Sequence, residues 1–549
     1  MDFSQDIKAI ISRGDAEFSN RMALLSLWQE LALNFYPQRA NFTHDLTLGQ
    51  EYASHLTTSH PVIVMRTLQN TVPSMLRPRD KDWFKVITSK DSDDDDDSGL
   101  EAKEWLNNST KLTRKALYNR ESGFVRAVSE ADSDFMCFGN SVKYLSENKD
   151  RTGLMLMCIH LKEVCWFEDL TGRICEIHRK ADMTATEASE TFGKDRLHPK
   201  MIEALNDPQK KNSKFKIHHV MVKSSYYGGV ASKYEKKFKW VSLWIDIGNQ
   251  HIIEEVGSHT QKYIIARWQT VSGFQYGYSL ASQIALPDAR LLQDMALTAL
   301  EAAQKAVDPP VIATDDVVRG DVNLFAGGIT VVDKDYDERL GQAVRPMTVD
   351  KSGLSHGMSM MDMVKMSISD GLYENKISLP SISADMTATE VMQRVKEYAR
   401  TALPLFAPLE EEDNAVMIEQ AFEILMINNV FGTPDQIPDA LSGKEISFEF
   451  MSPIQDSRQE DLKQQYLETL NMKATTMQID PDATISFNTE KAFTNVLRNI
   501  DTPSEWLLSD DDIQKISEDK KLQQGIAEAA QTAQNAGAGM QAAQGLMGQ

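Results

Sequence analysis

Leu24, Trp28, Leu31 and Phe35 recur at helical spacing within AEFSNRMALLSLWQELALNFY, and Pro37 ends the pattern. Residues 16–36 therefore predict an amphipathic helix. Residues 60–76 predict a second helix, kinked at Pro73, and two more fall at about 100–119 and 121–137. From Gly139 to Trp268 the period shortens. Runs such as SVKYLS, GRICEIHRK, FKIHHVMVKS and FKWVSLWIDIG alternate with turn segments such as EDLTG and YYGG, which predicts antiparallel hairpins.

A different unit follows. Residues 281–306 form an Ala-dense helical pattern about 40 Å long at roughly 1.5 Å per residue, ended by the DPP at 308–310. So much alanine favours close approach of neighbouring helices. An acidic, β-leaning stretch runs to about residue 350, and GLSHGMSMMDMVKMSISDGL at 353–372 reads as a Met-rich helix. The two helices bracket a small lobe. NKISLPSIS reads as a loop, and the longest helical pattern then extends to about Val430, with kinks expected at Pro404 and Pro408. EISFEFMSP reads as a strand. Residues 456–549 are mostly helical and end in an Ala/Gln/Gly tail too poor in large apolar groups to pack alone. The fold class is α+β.

The heptapeptide ADMTATE occurs twice, at Ala181–Glu187 and Ala384–Glu390. Thr-Ala-Thr-Glu fits a capping box, naming Thr184 with Glu187 and Thr387 with Glu390. The flanks of the two copies do not match, so the repeat is a reused helix start and not a duplicated domain.

At 549 residues, with 42% hydrophobic and 25% charged residues, the chain has room for several cores. No stretch approaches the roughly 18 apolar residues of a membrane span, and MDFSQDIKAIISRGD lacks the form of a secretory signal. Cys137, Cys158, Cys165 and Cys175 are too sparse for a disulfide framework and fit a reducing cytosol. The net charge of −22 argues against gripping nucleic acid over the whole surface. It leaves room for DNA that passes without being held.

Candidate chemistry is thin. There is no phosphate-binding Gly-x-x-x-x-Gly-Lys-Ser/Thr loop and no His-Glu-x-x-His. Ser279, in GYSLA, lacks the last glycine of a nucleophile elbow and reads as structural. In DSDDDDDSGLEAKE, Asp93, Asp95, Asp97, Glu101 and Glu104 fall at calcium-loop positions, but Ser98 stands where glycine belongs and a strand-like WFKVITSK precedes. A solvated acidic loop is the better reading. His218 and His219 are adjacent in a strand and point to opposite faces. The cysteines lack zinc spacing and read as small buried hydrophobes. Met358–Met366 reads as adaptable packing. Arg77, Arg79 and Lys81 read as a polar turn, diluted by Asp80 and Asp82, before Trp83 and Phe84 enter a core. No enzyme and no cofactor is expected.

Taken in order, LWQELALNFYPQRANFT (27–43), VPSMLRPRDKDWF (72–84), FQYGYSLASQIALPDARLL (274–292), AVDPPVI (306–312), TATEVMQRVKE (387–397), FEILM (422–426) and FEFMSP (448–453) resemble the head-to-tail connector, or portal, proteins of short-tailed bacteriophages. The resemblance implies a ring, typically of twelve copies, at one vertex of the virion, assembled in the host cytoplasm. It implies a wing over 1–280, stem helices at 281–306 and 353–373, a β-containing clip at 307–352 and a tunnel loop at 374–386. A long kinked wing helix and strand would occupy 387–452, and a helical crown with the tail 453–549. Lys376, Ser378, Ser381, Ser383 and Asp385 would line the DNA channel, with Thr387 and Glu390 capping the helix at the loop exit. Asp315, Asp316, Arg319, Asp333 and Asp335 in the clip would dock partners. Those partners would be the terminase large subunit and then tail adaptor or tube proteins, with major capsid and scaffolding proteins around the ring, no membrane, and double-stranded DNA passing through. The alternative class is a low-order cytosolic, calcium-regulated hydrolase.

Overall fold

The computed structural model describes residues 5–47, 49–79, 81–88, 100–148, 153–227, 237–307, 309–313, 344–346, 352–374, 407–441, 445–451 and 465–475, with single positions at 331, 333, 337, 339, 443 and 493. The described elements begin with α1 (Gln5–Asn20), α2 (Met22–Phe35), α3 (His60–Leu76), β1 (Phe84–Thr88), α4 (Leu100–Leu117) and α5 (Phe124–Phe138). Then come β2 (Asn140–Glu147), β3 (Leu154–Ile159), β4 (Val164–Glu168), β5 (Ile174–Thr184), α6 (Ala185–Phe192) and α7 (Pro199–Asn206). They continue through β6 (Lys214–Lys223), β7 (Trp240–Asp246), β8 (His251–Ser258), β9 (Tyr263–Arg267), α8 (Leu286–Val307), β10 (Val311–Ala313) and β11 (Val344–Pro346). α9 (Ser352–Gly371), α10 (Val416–Ile427) and β12 (Ile446–Phe450) complete them. The chain divides into two compact units, residues 1–83 with 113–430, and residues 84–112 with 431–549.

In the first unit the apolar stripe of α5, Phe124, Ala127, Val128, Ala131 and Phe135, is buried, and its lower part joins one large core with α2, α3 and the sheets. Trp28 is its aromatic centre, with ring centroids 5.7 Å from Phe42, 6.4 Å from Phe138 and 6.0 Å from Tyr276. α5 ends at Gly139, whose φ of +75° and approach to the Tyr278 backbone leave no room for a side chain. The strands from β2 to β9 make two antiparallel sheets, in the orders β3-β2-β9 and β4-β5-β6-β7-β8, and β10 pairs antiparallel with β11. The second is a plain meander, with Thr184 opposite Lys214 in the β5–β6 pair and a register shift between Trp244 and Ile245 where β7 meets β8. The hairpins expected between Gly139 and Trp268 are present.

The single helix expected over 16–36 is two. α1 and α2 are broken at Arg21, which has φ −87° and ψ 11°. The break turns the Arg21 guanidinium into the β3–β4 connection, where it donates to the carbonyls of Leu161 (2.9 Å), Lys162 (2.6 Å) and Val164. Three carbonyls are satisfied at once, two of them in buried bonds, which offsets the helical bonds lost at the break. Periodicity continues across the break, so it carries no sign of it. α1 then lays Ile7 and Ile10 against Val220, Val222, Val241, Leu243 and Ile245 of the five-stranded sheet.

The first ADMTATE copy forms its capping box. Thr184 Oγ1 accepts from the Glu187 amide at 3.3 Å, and Glu187 Oε2 accepts from the Thr184 amide at 2.8 Å. That amide holds the Glu187 carboxyl below its ordinary value. In the second unit, β1 and β12 pair antiparallel from Phe84 opposite Phe450 to Thr88 opposite Ile446. Thr110 accepts from the Val86 amide at 3.1 Å, and Trp105 meets Phe431 edge-on at 6.1 Å.

Candidate functional site

Two long helices stand out from the first unit. α8 is entered through a π-helical turn, Ala281–Ala285, set by Ser279, whose hydroxyl donates to the Cys137 carbonyl at 2.7 Å and accepts from the Ser282 amide at 3.1 Å. Ser279 is thus structural, as its sequence context predicts. α8 and α9 run antiparallel, because Ser367 near the end of α9 donates to Asp288 at the start of α8 at 2.6 Å. Leu286, Ala289, Leu292, Ile368 and Leu372 root the pair in the main core. Polar clamps add to the root. Gln293 accepts from the Thr57 and Thr58 amides at 2.8 and 3.0 Å, Arg290 pairs with Glu30, and the His60 ring meets the Lys365 carbonyl at 3.2 Å.

Past that root the two helices are uncovered. Leu297, Leu300, Met358, Met360, Met363 and Met366 are each about half exposed or more, and Val307 is 87% exposed. The packing role read for the methionines is met by Met361, which rests on the main core. Four others face outward in the single chain.

A second constellation was not legible as a site. Arg77 and Lys143 meet Asp132 and Asp413, and all four side chains are at most 3% exposed. Arg77 bonds Asp132, reaches Asp413 at 3.2 Å and donates to Asn414 at 2.9 Å, and Lys143 bonds Asp413. Burial opposes the Arg77 charge, but Asp132 and Asp413 outweigh it and hold its pKa above the ordinary value. Arg77 is therefore no polar turn. It is corrected to a buried ion because its acid partners lie 55 and 336 residues away. The signals were Asp132 falling on the apolar stripe of α5 and Lys143 inside a strand buried on both faces.

Asp413 sits in a second π-helical turn, Leu409–Ala415. Its neighbour Glu412 accepts from Arg267 three times, from the amide at 2.8 Å and from the guanidinium at 2.8 and 3.1 Å. Arg267 also pairs with Glu168.

The histidines separate as expected. His218 meets His178 at 3.1 Å on one face, and on the other His219 meets Tyr263 at 2.6 Å and Ser242 at 2.9 Å. Cys137, Cys165 and Cys175 are buried and Cys158 is half-buried, and burial raises each thiol above its ordinary pKa. Glu101 and Glu104 are exposed on α4 and the strand β1 precedes them, while Asp93, Asp95 and Asp97 lie outside the described residues. Among the described residues no group of three His, Cys, Asp or Glu could hold a metal ion, and no helix is long and apolar enough to cross a membrane. Lys376, Ser378, Ser381, Ser383, Asp385, Thr387, Glu390, Asp315, Asp316, Arg319 and Asp335 lie outside the described residues, as does the tail. Asp333 is half-buried, and its chain neighbours lie outside the described residues.

The prominent features of the described geometry are rooted helices and buried ions. The chain matches the family of bacteriophage head to tail connecting proteins over residues 8–508 and belongs to it. It is similar to the portal protein of Salmonella phage epsilon15, with 19% identity over 536 residues, 96% of this chain and 92% of that one. Membership makes it a phage portal-family protein of the virion and supports a structural, non-enzymatic role. A solved chain from the virion of a native gene transfer agent particle aligns with 80% of this chain and 90% of its own length, at 9% identity and a TM-score of 0.31, too low to carry any argument about fold.

Proposed function

We propose that this chain forms a closed ring of copies, a dodecamer, that serves as the DNA conduit at one vertex of the capsid. The observation that carries the reading, within the family membership, is the pair of helices rooted at one end and apolar on their outer faces. Leucine and methionine left in water at that density find cover against another copy of the same chain, and cyclic closure covers every copy alike. On this reading α8 and α9 are the stem, residues 307–352 the clip and residues 374–386 the tunnel loop. The five-stranded sheet belongs to the wing over 1–280, the capped long helix and strand fill 387–452, and residues 453–549 form the crown. The net charge of −22 suits passage, since duplex DNA carries about one charge per 1.7 Å and a basic channel would hold it.

Lys376, Ser378, Ser381 and Ser383 make weak, sequence-independent contacts with the passing duplex. The clip, through Asp315, Asp316, Arg319, Asp333 and Asp335, docks the terminase large subunit during packaging and tail adaptor proteins afterwards. Capsid and scaffolding proteins surround the ring. Light scattering with end-on electron micrographs tests this together. The expected particle weighs roughly twelve chains and shows a central hole. Deleting 378–383 should keep that particle while lowering the yield of DNA-filled heads. A discrete monomer or dimer would overturn the reading, and normal yields of full heads from the deletion would remove the loop's role.

A further inference from the structure

The π turn at Leu409–Ala415 is anchored in an unusual way. Glu412, Asp413 and Asn414 are consecutive, yet all three bond inward: Glu412 to Arg267 on β9, Asp413 to Lys143 on β2 and to Arg77, and Asn414 to Arg77. In an α-helix successive side chains diverge by about 100°, so three in a row cannot share one direction. A π turn closes i to i+5 and turns less per residue, which brings them closer to one face. The four central ions, Arg77, Lys143, Asp132 and Asp413, sum to zero charge and are all buried. Such a cluster adds little stability over well-packed apolar groups of similar volume, because desolvation offsets the attraction.

We propose that this cluster is a conformational selector: it holds 409–415 in the π form against the α form, and so fixes the register of Leu409, in the main core, against α10. Relaxation to an α-helix would shift that register by one residue, about 1.5 Å along the axis and about 100° around it. Another π turn, Ala281–Ala285, leads into α8. Both π turns are seated in the first unit. One is set by serine hydroxyls, the other by buried ions.

The proposal rests on the fold and not on the ring reading, so the two can fail separately. Two variants of the full chain test it by hydrogen exchange, thermal melting and a structure. Glu412→Gln removes the partly exposed outer anchor, and Arg267 keeps Glu168. It should melt near the wild-type temperature with exchange at 409–415 faster by about tenfold or more. The double change Lys143→Met with Asp413→Leu replaces the inner pair by apolar groups and leaves Arg77 with Asp132. It should also fold and melt near wild type, with 409–415 relaxed to α. A double variant that retains the protected π turn overturns the proposal. So does one that fails to fold, since the ions would then be stabilising and not selecting, and so does Glu412→Gln with unchanged exchange.

Discussion

His218 shows how a buried polar group takes its state from its neighbours. Glu176 accepts only, from Arg13 at 3.2 Å and from His178 Nε2 at 2.7 Å, so the proton of His178 sits on Nε2. His178 Nδ1 must then accept, and His218 Nε2 donates to it at 3.1 Å. This leaves His218 Nδ1 buried as a bare acceptor without a partner. A second proton there has no counter-charge. Burial first, and the nearby Lys180 charge as well, press the His218 pKa from 6.5 to about 3. The unfolded chain therefore binds a proton that the folded chain refuses. Stability is unaffected above about pH 6.5 and falls as pH drops from there toward 3, by up to about 1.4 kcal/mol per unit. His218→Gln keeps a donor for His178 and removes the titration. Between pH 6.5 and 5 it should lose about 2 kcal/mol less than wild type in urea unfolding; equal losses would refute the assignment. The opposite facing of His218 and His219 was legible, since side chains alternate along a strand. Their partners were not, because they depend on which strand lies alongside.

At the scale of elements the same contrast holds. The capping box at Thr184 was legible because cap, amide and carboxylate lie within four residues of one another. Thr184→Ala should destabilise the protein by about 1 kcal/mol in chemical denaturation, with the loss centred on α6 in hydrogen exchange. The effect should shrink in acid as the carboxyl of Glu187, held low by the Thr184 amide, gains its proton. No loss at neutral pH would mean that the box is ornamental. The break between α1 and α2 was illegible for a long-range reason: Arg21 leaves the helix to reach carbonyls some 140 residues away. Local pattern predicts where helices are, and distant unsatisfied groups decide where they stop.

At the scale of the molecule, the order of helices and β-rich runs among the described residues up to α9 followed from the sequence, while the sheet order and the ion cluster did not. The cluster needs α5, β2 and the 409–415 turn to meet, and no local period encodes that meeting. The proposed assembly gives its own test. Leu300 and Met363 are 54% and 61% exposed, so Leu300→Glu with Met363→Glu should alter folding by about 0.5 kcal/mol or less per site. Light scattering should nevertheless show the large particle reduced to low-order species. A full-sized particle from this variant would place the subunit contacts elsewhere.

β8 ends the five-stranded sheet, and at that margin a further copy could pair by backbone alone. Glu254 and Glu255 lie side by side on it, and the register shift against β7 falls next to them. Under the proposed ring assembly the chain meets its own copies, and it is then exposed to every accidental meeting as well. Glutamates on an uneven margin are poor partners for a second such strand, and in the proposed ring the helices are then the surface left for joining.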